Sequence, residues 1–256
     1  MSRSMNRHRR VKFSGLSQPG TLDGSHPLLR SLLSALLVAL LVLLPVGWFS
    51  FKHYAAPSKL AKSALVGRRS PTALNVVLAL DESGSFVNYS SMRADAIDQL
   101  YKWAPKNLRD DDTITVIGWA KNATVTSPCS SVETIASASA KTGGGKVDSR
   151  ETNFVPALQE AQGAIEGEGR PTTLIVVTDT VAGDLANQAK IDKLIEKMNV
   201  TSMSVILPQG KRIYGDWQRA FPWEETFHAR SDKPNQIAVA IGKSLAHATG
   251  QRLQRS

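Results

Sequence analysis

Apolar residues are spread unevenly along the chain. The longest apolar run, residues 31–51 (SLLSALLVALLVLLPVGWFSF), holds no charged side chain. About 20 apolar residues are enough to cross a bilayer core as a helix, so this stretch predicts one transmembrane helix. Pro45 and Gly47 fall near its far end, where membrane helices tolerate them, and Trp48 and Phe51 fall where interfacial aromatics sit. A buried soluble helix is disfavoured, because such helices rarely run so long without a polar face. A cleaved signal peptide is the nearer alternative. Its apolar region usually runs about 7–15 residues, and the following FKHYAAPSKLAKSA offers no clear cleavage site. The pattern favours an uncleaved anchor.

After residue 72 the pattern changes. NVVLAL (75–80), TITVIGW (113–119), TTLIVV (172–177) and TSMSVIL (201–207) are short apolar runs of the buried-strand kind. Helical spacing covers 91–103, 154–165, 185–198 and 236–247, with a short helix expected at 132–140 and a short edge strand at 123–126. Buried strands alternating with helices imply an α/β fold, a doubly wound, mostly parallel sheet covered on both faces. The expected organisation is a polar basic arm (1–30), the transmembrane helix (31–51), a linker (52–71), the folded domain (72–250) and a tail (251–256). No internal repeat is present.

Charge sharpens this division. The net charge of +9 suggests nucleic acid if it is spread over the domain. It is not. Residues 1–69 hold 11 Lys/Arg against one acid, Asp23, and residues 70–256 hold the other 20 Lys/Arg and 21 acids. The basicity belongs to the membrane-flanking arm, where it meets anionic headgroups. The near-neutral domain argues against a nucleic-acid partner. Lys/Arg flank the apolar run on both sides, so charge orients the span only weakly. A short basic N-terminus before a large domain has the form of a signal anchor, which places the domain outside the cytoplasm. Cys129 is the only cysteine, so no internal disulfide supports the fold; a half-buried inert thiol is expected.

In sheets of this kind ligands collect beyond the carboxyl ends of the strands. Asp81-Glu82-Ser83-Gly84-Ser85 follows the first strand, Glu151-Thr152-Asn153 precedes the helix at 154–165, and Thr178-Asp179-Thr180 follows the later strand. All three loops offer hard oxygen ligands and no soft ones, the chemistry of a cation such as Mg²⁺. Asp81, Ser83 and Ser85 supply a carboxylate and two hydroxyls from one tight loop, which Gly84 lets turn. Thr152 and Asp179 complete the set. Two carboxylates leave the ion able to accept one further anion, such as a partner's Asp or Glu. Taken singly, each of these residues also suits a turn or helix cap.

At these residues the chain resembles the von Willebrand factor A family, also called the integrin I-like fold. The family's metal-ion-dependent adhesion site uses an Asp-x-Ser-x-Ser loop, a Thr in a second loop and an Asp in a third. Asp81, Ser83 and Ser85 match the first, Thr152 the second and Asp179 the third, and the resemblance covers residues 74–247. It implies a metal-binding site for Mg²⁺, with Mn²⁺ or Ca²⁺ as alternatives, that captures an acidic residue of a protein partner. It implies no enzyme and no small-molecule substrate. One departure is Thr180, where family members often have Gly. By analogy with integrin-like relatives, the helix at 236–247 is a candidate switch element. A second reading makes the chain a cytoplasmic accessory subunit of an AAA+ remodelling or metal-insertion ATPase, and a third a scaffold with a vestigial site.

Other chemistries fit less well. An aspartyl-phosphate hydrolase of the haloacid dehalogenase kind needs a second acid where Ser83 stands. Gly143-Gly144-Gly145-Lys146 lacks the Walker spacing, which Ala140 and Val147 break. His228 and His247 have neither zinc spacing nor cysteine company, and no Gly-x-Ser-x-Gly elbow is present. The aromatic segment 214–227 is read as a satellite core, with a partner surface as the alternative.

Overall fold

The computed structural model describes residues 58–135, 147–165, 169–230, 233 and 235–256. The basic arm, the predicted transmembrane helix and the glycine break at 143–145 lie outside the described residues. Among the described residues no helix is long and apolar enough to cross a membrane.

In chain order the described elements are β1 (Ser63–Val66), β2 (Asn75–Asp81), α1 (Ser90–Trp103), β3 (Thr113–Trp119), β4 (Ala123–Ser131), α2 (Val132–Ile135), α3 (Val155–Ala164), β5 (Thr172–Val177), α4 (Gln188–Lys197), β6 (Val200–Pro208), α5 (Gly215–Ala220), β7 (Glu225–Ala229), α6 (Gln236–Thr249) and β8 (Arg252–Arg255). Six strands form one sheet in the order β4-β3-β2-β5-β6-β7. All neighbours run parallel except β4, which is antiparallel to β3. Helices cover both faces, so the fold is α/β with a central mixed sheet.

Strand alternation explains the two cores. Val76, Leu78 and Leu80 of β2 point to one face, where they pack with Ile97 and Leu100 of α1 and Ile241 and Leu245 of α6. Val77 and Ala79 point to the other, against Leu158 of α3, Ile191 of α4 and Trp217 of α5. Successive strand side chains alternate between faces, and strands covered on both read as unbroken apolar runs. That is why β2, β3 and β5 are buried along their whole length. Each fully buried Leu or Ile contributes about 1.5–3 kcal/mol.

The expected linker and tail need correction at their domain ends. Part of 52–71 and the segment 251–256 form an antiparallel ribbon, β1 with β8, in register from Ser63↔Arg255 to Val66↔Arg252. Leu60 is fully buried. Gly242 of α6 makes room for it, since a Cβ there would lie 2.6 Å from Leu60 Cδ1. The folded part therefore starts by Leu60, not near residue 72. Arg69 also packs inward, donating to both carboxylate oxygens of Asp112 at 2.6 and 2.7 Å.

The aromatic segment is mostly core. Trp217 and Phe221 are buried. Their rings sit 4.8 and 5.6 Å from Phe154, which in turn meets Trp119 at 5.0 Å. Trp223 is exposed. The segment carries two elements that its sequence did not announce, α5 and β7. His228 and His247 are exposed and Cys129 is half-buried.

Candidate metal centre

The strand order places the site. From β2 the chain runs to β3 and β4 on one side, then returns to β5, β6 and β7 on the other. Loops leaving β2 and β5 diverge at this reversal and leave a crevice at the carboxyl ends. Asp81 ends β2, and Asp179 lies just beyond β5.

The three predicted loops meet there. The Glu82 N–H donates to the Trp119 carbonyl (2.8 Å) and the Gly84 N–H to Ser149 O (3.1 Å), which ties the first loop to β3 and to the approach of the second. The Gly183 N–H donates to Thr152 O (2.8 Å), joining the third loop to the second. Asp184 strengthens this joint. Its carboxylate accepts the N–H groups of Phe154 and Val155, both at 2.7 Å, and so caps the start of α3 just after Thr152.

Asp81 is wholly buried. Its Oδ1 accepts the Ser83 N–H at 2.9 Å, and its Oδ2 accepts the Thr178 hydroxyl at 2.7 Å. Burial pushes its carboxyl above the ordinary aspartate range. Hydrogen bonds from Ser83 and Thr178 oppose the rise, and the negative charge of Asp179 adds to it. Ser83 Oγ and Ser85 Oγ are hydrogen-bonded to each other at 3.1 Å. Two adjacent oxygens on an octahedral Mg²⁺ stand about 2.9 Å apart, given metal–oxygen distances near 2.0–2.1 Å. The hydroxyl pair already has nearly that spacing.

Asp179 is also buried, at 3% exposure. Its Oδ1 accepts the Val181 N–H (3.3 Å), and its Oδ2 lies 3.9 Å from the half-exposed Lys211 ammonium. Thr152 is half-buried on the same edge. The three loops thus carry two buried carboxylates and three hydroxyl side chains along one edge of the sheet, oxygen chemistry of the kind a hard divalent cation takes. Among the described residues no cluster of three or more His, Cys, Asp or Glu is placed to hold a metal.

Thr180, the departure from the family pattern, takes the conformation that Gly adopts readily. Its φ is +64°, rare for a β-branched residue. Three hydrogen bonds hold it there. Its hydroxyl donates to Asp179 O (2.7 Å) and accepts the Tyr214 N–H (3.0 Å), and its own N–H donates to Thr178 Oγ1 (3.0 Å). Thr180 thereby fastens the segment that carries Lys211 beside Asp179. Thr178, Asp184 and Lys211 are site residues that sequence reasoning did not single out. Thr178 stood in the quoted loop without a role, and the other two act on partners far away in sequence.

Residues 76–182, which include all three loops, match the family model described as von Willebrand factor type A domain. The match supports a von Willebrand factor type A domain over that segment. No curated protein matches the chain. Among solved structures, it is similar to an aerotolerance-related membrane protein from Bacteroides fragilis carrying multiple mutations to serines. That pair has 15% identity and a TM-score of 0.43, over 68% of this chain and 100% of the other. It is also similar to the conserved hypothetical protein BatB from Bacteroides thetaiotaomicron, at 16% identity and a TM-score of 0.44, over 68% and 99%. A third is proximal thread matrix protein 1 from the mussel byssus, with a zinc-occupied metal-ion-dependent adhesion site motif. It shows 14% identity and a TM-score of 0.47, over 70% and 49%.

Proposed function

We propose that the chain is a membrane-anchored binding protein whose domain uses a divalent cation to capture an acidic residue of a protein partner. Asp81, Ser83, Ser85, Thr152 and Asp179 would hold the ion, with Mg²⁺ the expected occupant and Mn²⁺ or Ca²⁺ the alternatives. The observation that carries this reading is the wholly buried Asp81, hydrogen-bonded among the described residues only by neutral donors and set beside a serine hydroxyl pair 3.1 Å apart, near octahedral spacing. A bound cation would add positive charge beside this carboxylate and would supply Lewis acidity toward an incoming carboxylate. The protein's part is to fix the ligands on three loops that are hydrogen-bonded to one another.

The anchor at 31–51 belongs to the same proposal and would leave the domain outside the cytoplasm. Protease treatment of intact cells tests that side of it. Digestion of the domain supports an adhesion role, whereas protection points to the cytoplasmic accessory-subunit reading. For the site, Mg²⁺ binding is measured by calorimetry on the full-length chain and on Asp81→Ala and Ser83→Ala. Loss of binding in both variants is expected, and unchanged affinity in both sinks the metal reading.

A further inference from the structure

The β1–β8 ribbon gathers positive charge from both ends of the domain. Residues 58–73 hold Lys59, Lys62, Arg68 and Arg69 and no acid, and residues 250–256 hold Arg252 and Arg255 and no acid. Arg69 is taken up by Asp112. The other five cations are exposed, and none forms an ion pair among the described residues. Strand pairing brings them together. At one end Ser63 faces Arg255 and the Ser256 N–H donates to Lys62 O at 3.1 Å, so the backbones of Lys62 and Arg255 lie side by side. At the other end Val66 faces Arg252 and the Gln251 amide donates to Gly67 O at 3.0 Å, which brings Arg252 next to Arg68. Like charges set opposite one another on a ribbon repel. The turn held to β1 by Asn107 adds Lys106 and Arg109 against Asp110, Asp111 and Asp112. Asp111 pairs with Arg109 and Asp112 with Arg69, so the positive excess stands.

The ribbon has two faces. Leu65 and Leu253 pack inward onto the core that α1 and α6 share. By alternation Val66 and Arg252 point outward, and Val66 is 45% exposed. An outward surface with unpaired cations around an exposed aliphatic side chain matches a bilayer interface. Basic side chains reach phosphates there while their stems and a small apolar group lie toward the acyl chains. Chain length favours a lipid surface over an acidic protein. Lys59 follows Phe51, the end of the apolar run, by eight residues, at most about 30 Å of extended chain. We propose that the β1–β8 ribbon docks the domain on anionic phospholipid headgroups, with Lys62, Arg68, Arg252 and Arg255 toward the phosphates and Val66 toward the acyl boundary. The nearness of the bilayer rests on the proposed anchor, whereas the charge and exposure of the ribbon do not. Trp103, at the end of α1 away from the first loop, donates to Ser63 O, so a docked ribbon would hold the Asp81 edge away from the lipid.

The test uses the full-length chain with Cys129→Ser and Val66→Cys, labelled at residue 66 with an environment-sensitive fluorophore. It is reconstituted into vesicles of phosphatidylcholine alone or with added phosphatidylglycerol. Brighter, blue-shifted emission is expected with the anionic lipid only. Salt at about 1 M, where the Debye length is about 3 Å, should reverse it. Arg252→Gln with Arg255→Gln removes two cations that lie far from the apolar run in sequence, and should weaken docking by about tenfold or more. Lys193→Gln, an exposed cation on α4 over the other face of the sheet, should leave it unchanged. Equal emission in neutral and anionic vesicles, or a full response in a folded Arg252→Gln/Arg255→Gln protein, overturns the proposal. A response to polyglutamate with none to anionic lipid overturns it in favour of an acidic protein. Carbonate extraction of the same vesicles tests the anchor separately. If the chain is released, the vesicles are added to the free chain and the same emission comparison decides the ribbon on its own.

Discussion

Two aspartates are buried at opposite ends of the central strands, and their surroundings differ. Asp112 precedes β3 at the amino edge and is wholly buried. Arg69 donates to both its oxygens, and the N–H groups of Leu74 and Arg109 donate at 2.9 and 2.8 Å. Asp81 ends β2 at the carboxyl edge, equally buried, but it receives one N–H and one hydroxyl and has a second carboxylate, Asp179, nearby. A buried charge is tolerated when it is paired and hydrogen-bonded. At one edge Arg69 is hydrogen-bonded to both oxygens of the aspartate, whereas at the other Asp81 accepts only neutral donors among the described residues and Lys211 stands 3.9 Å from Asp179. The first arrangement serves the fold, and the second is the one the proposed function assigns to an ion from solution.

The largest expected effect comes from breaking the balanced edge. Arg69→Met leaves Asp112 buried and unpaired, and urea unfolding should register a loss of about 3 kcal/mol or more with Mg²⁺ affinity unchanged. The open edge should respond differently. Mg²⁺ at a hundred times its Kd should stabilise the full-length protein by about 2.7 kcal/mol. Asp81→Asn should remove that gain while leaving the metal-free protein as stable as before, or more so. If Asp81→Asn destabilises the metal-free protein as severely as Arg69→Met, the two edges are alike and the comparison fails.

Glu224 sharpens the contrast with a third solution. Its Oε2 accepts the Trp217 indole N–H at 2.6 Å, and burial pushes its carboxyl up to about 7. Burial here favours the protonated form, where Asp112 has Arg69 as its partner. The folded pKa lies above the usual glutamate value, so the folded state binds the proton more tightly. The resulting stability is fully present below about pH 4.3 and is lost as pH rises through 7. Glu224→Gln should therefore flatten the decline of Tm between pH 5 and 8 and raise Tm at pH 8 by roughly 2–4 °C. The smallest effect is expected at Thr180→Gly. Relief of the left-handed backbone and loss of the hydroxyl's two hydrogen bonds roughly offset, leaving stability within about 1 kcal/mol. The change should appear instead as a shift in Mg²⁺ affinity as the Lys211 segment loosens.

Much of this was legible in the sequence because it is local. β2, β3 and β5 are apolar on both faces, so NVVLAL, TITVIGW and TTLIVV stand out whatever lies around them. DESGS at the end of β2 combines motif and position within one stretch of chain. The ribbon did not show, because SALV and RLQR are short and half-polar and pair across almost the whole domain. β4 was expected to be shorter because ATVTSPCSS is polar and contains Pro128. Asp184 was missed for a similar reason. Its role, capping α3 across the second and third loops, lies in partners about 30 positions away.

The ribbon also fixes the direction in which the chain crosses the sheet. α1 leaves the site edge and ends at Trp103, whose indole N–H donates to Ser63 O at 2.7 Å. The β1–β8 ribbon therefore lies at the pole opposite Asp81. The backbone passes through β1 and then rises along β2, hydrogen-bonded to β3 on one side and β5 on the other, to end at Asp81. Under the proposed function, a pull between β1 and a partner held at the far edge would run lengthwise through β2. Detachment would then require the two flanking ladders to slip past it together, a sliding failure in place of a peeling one.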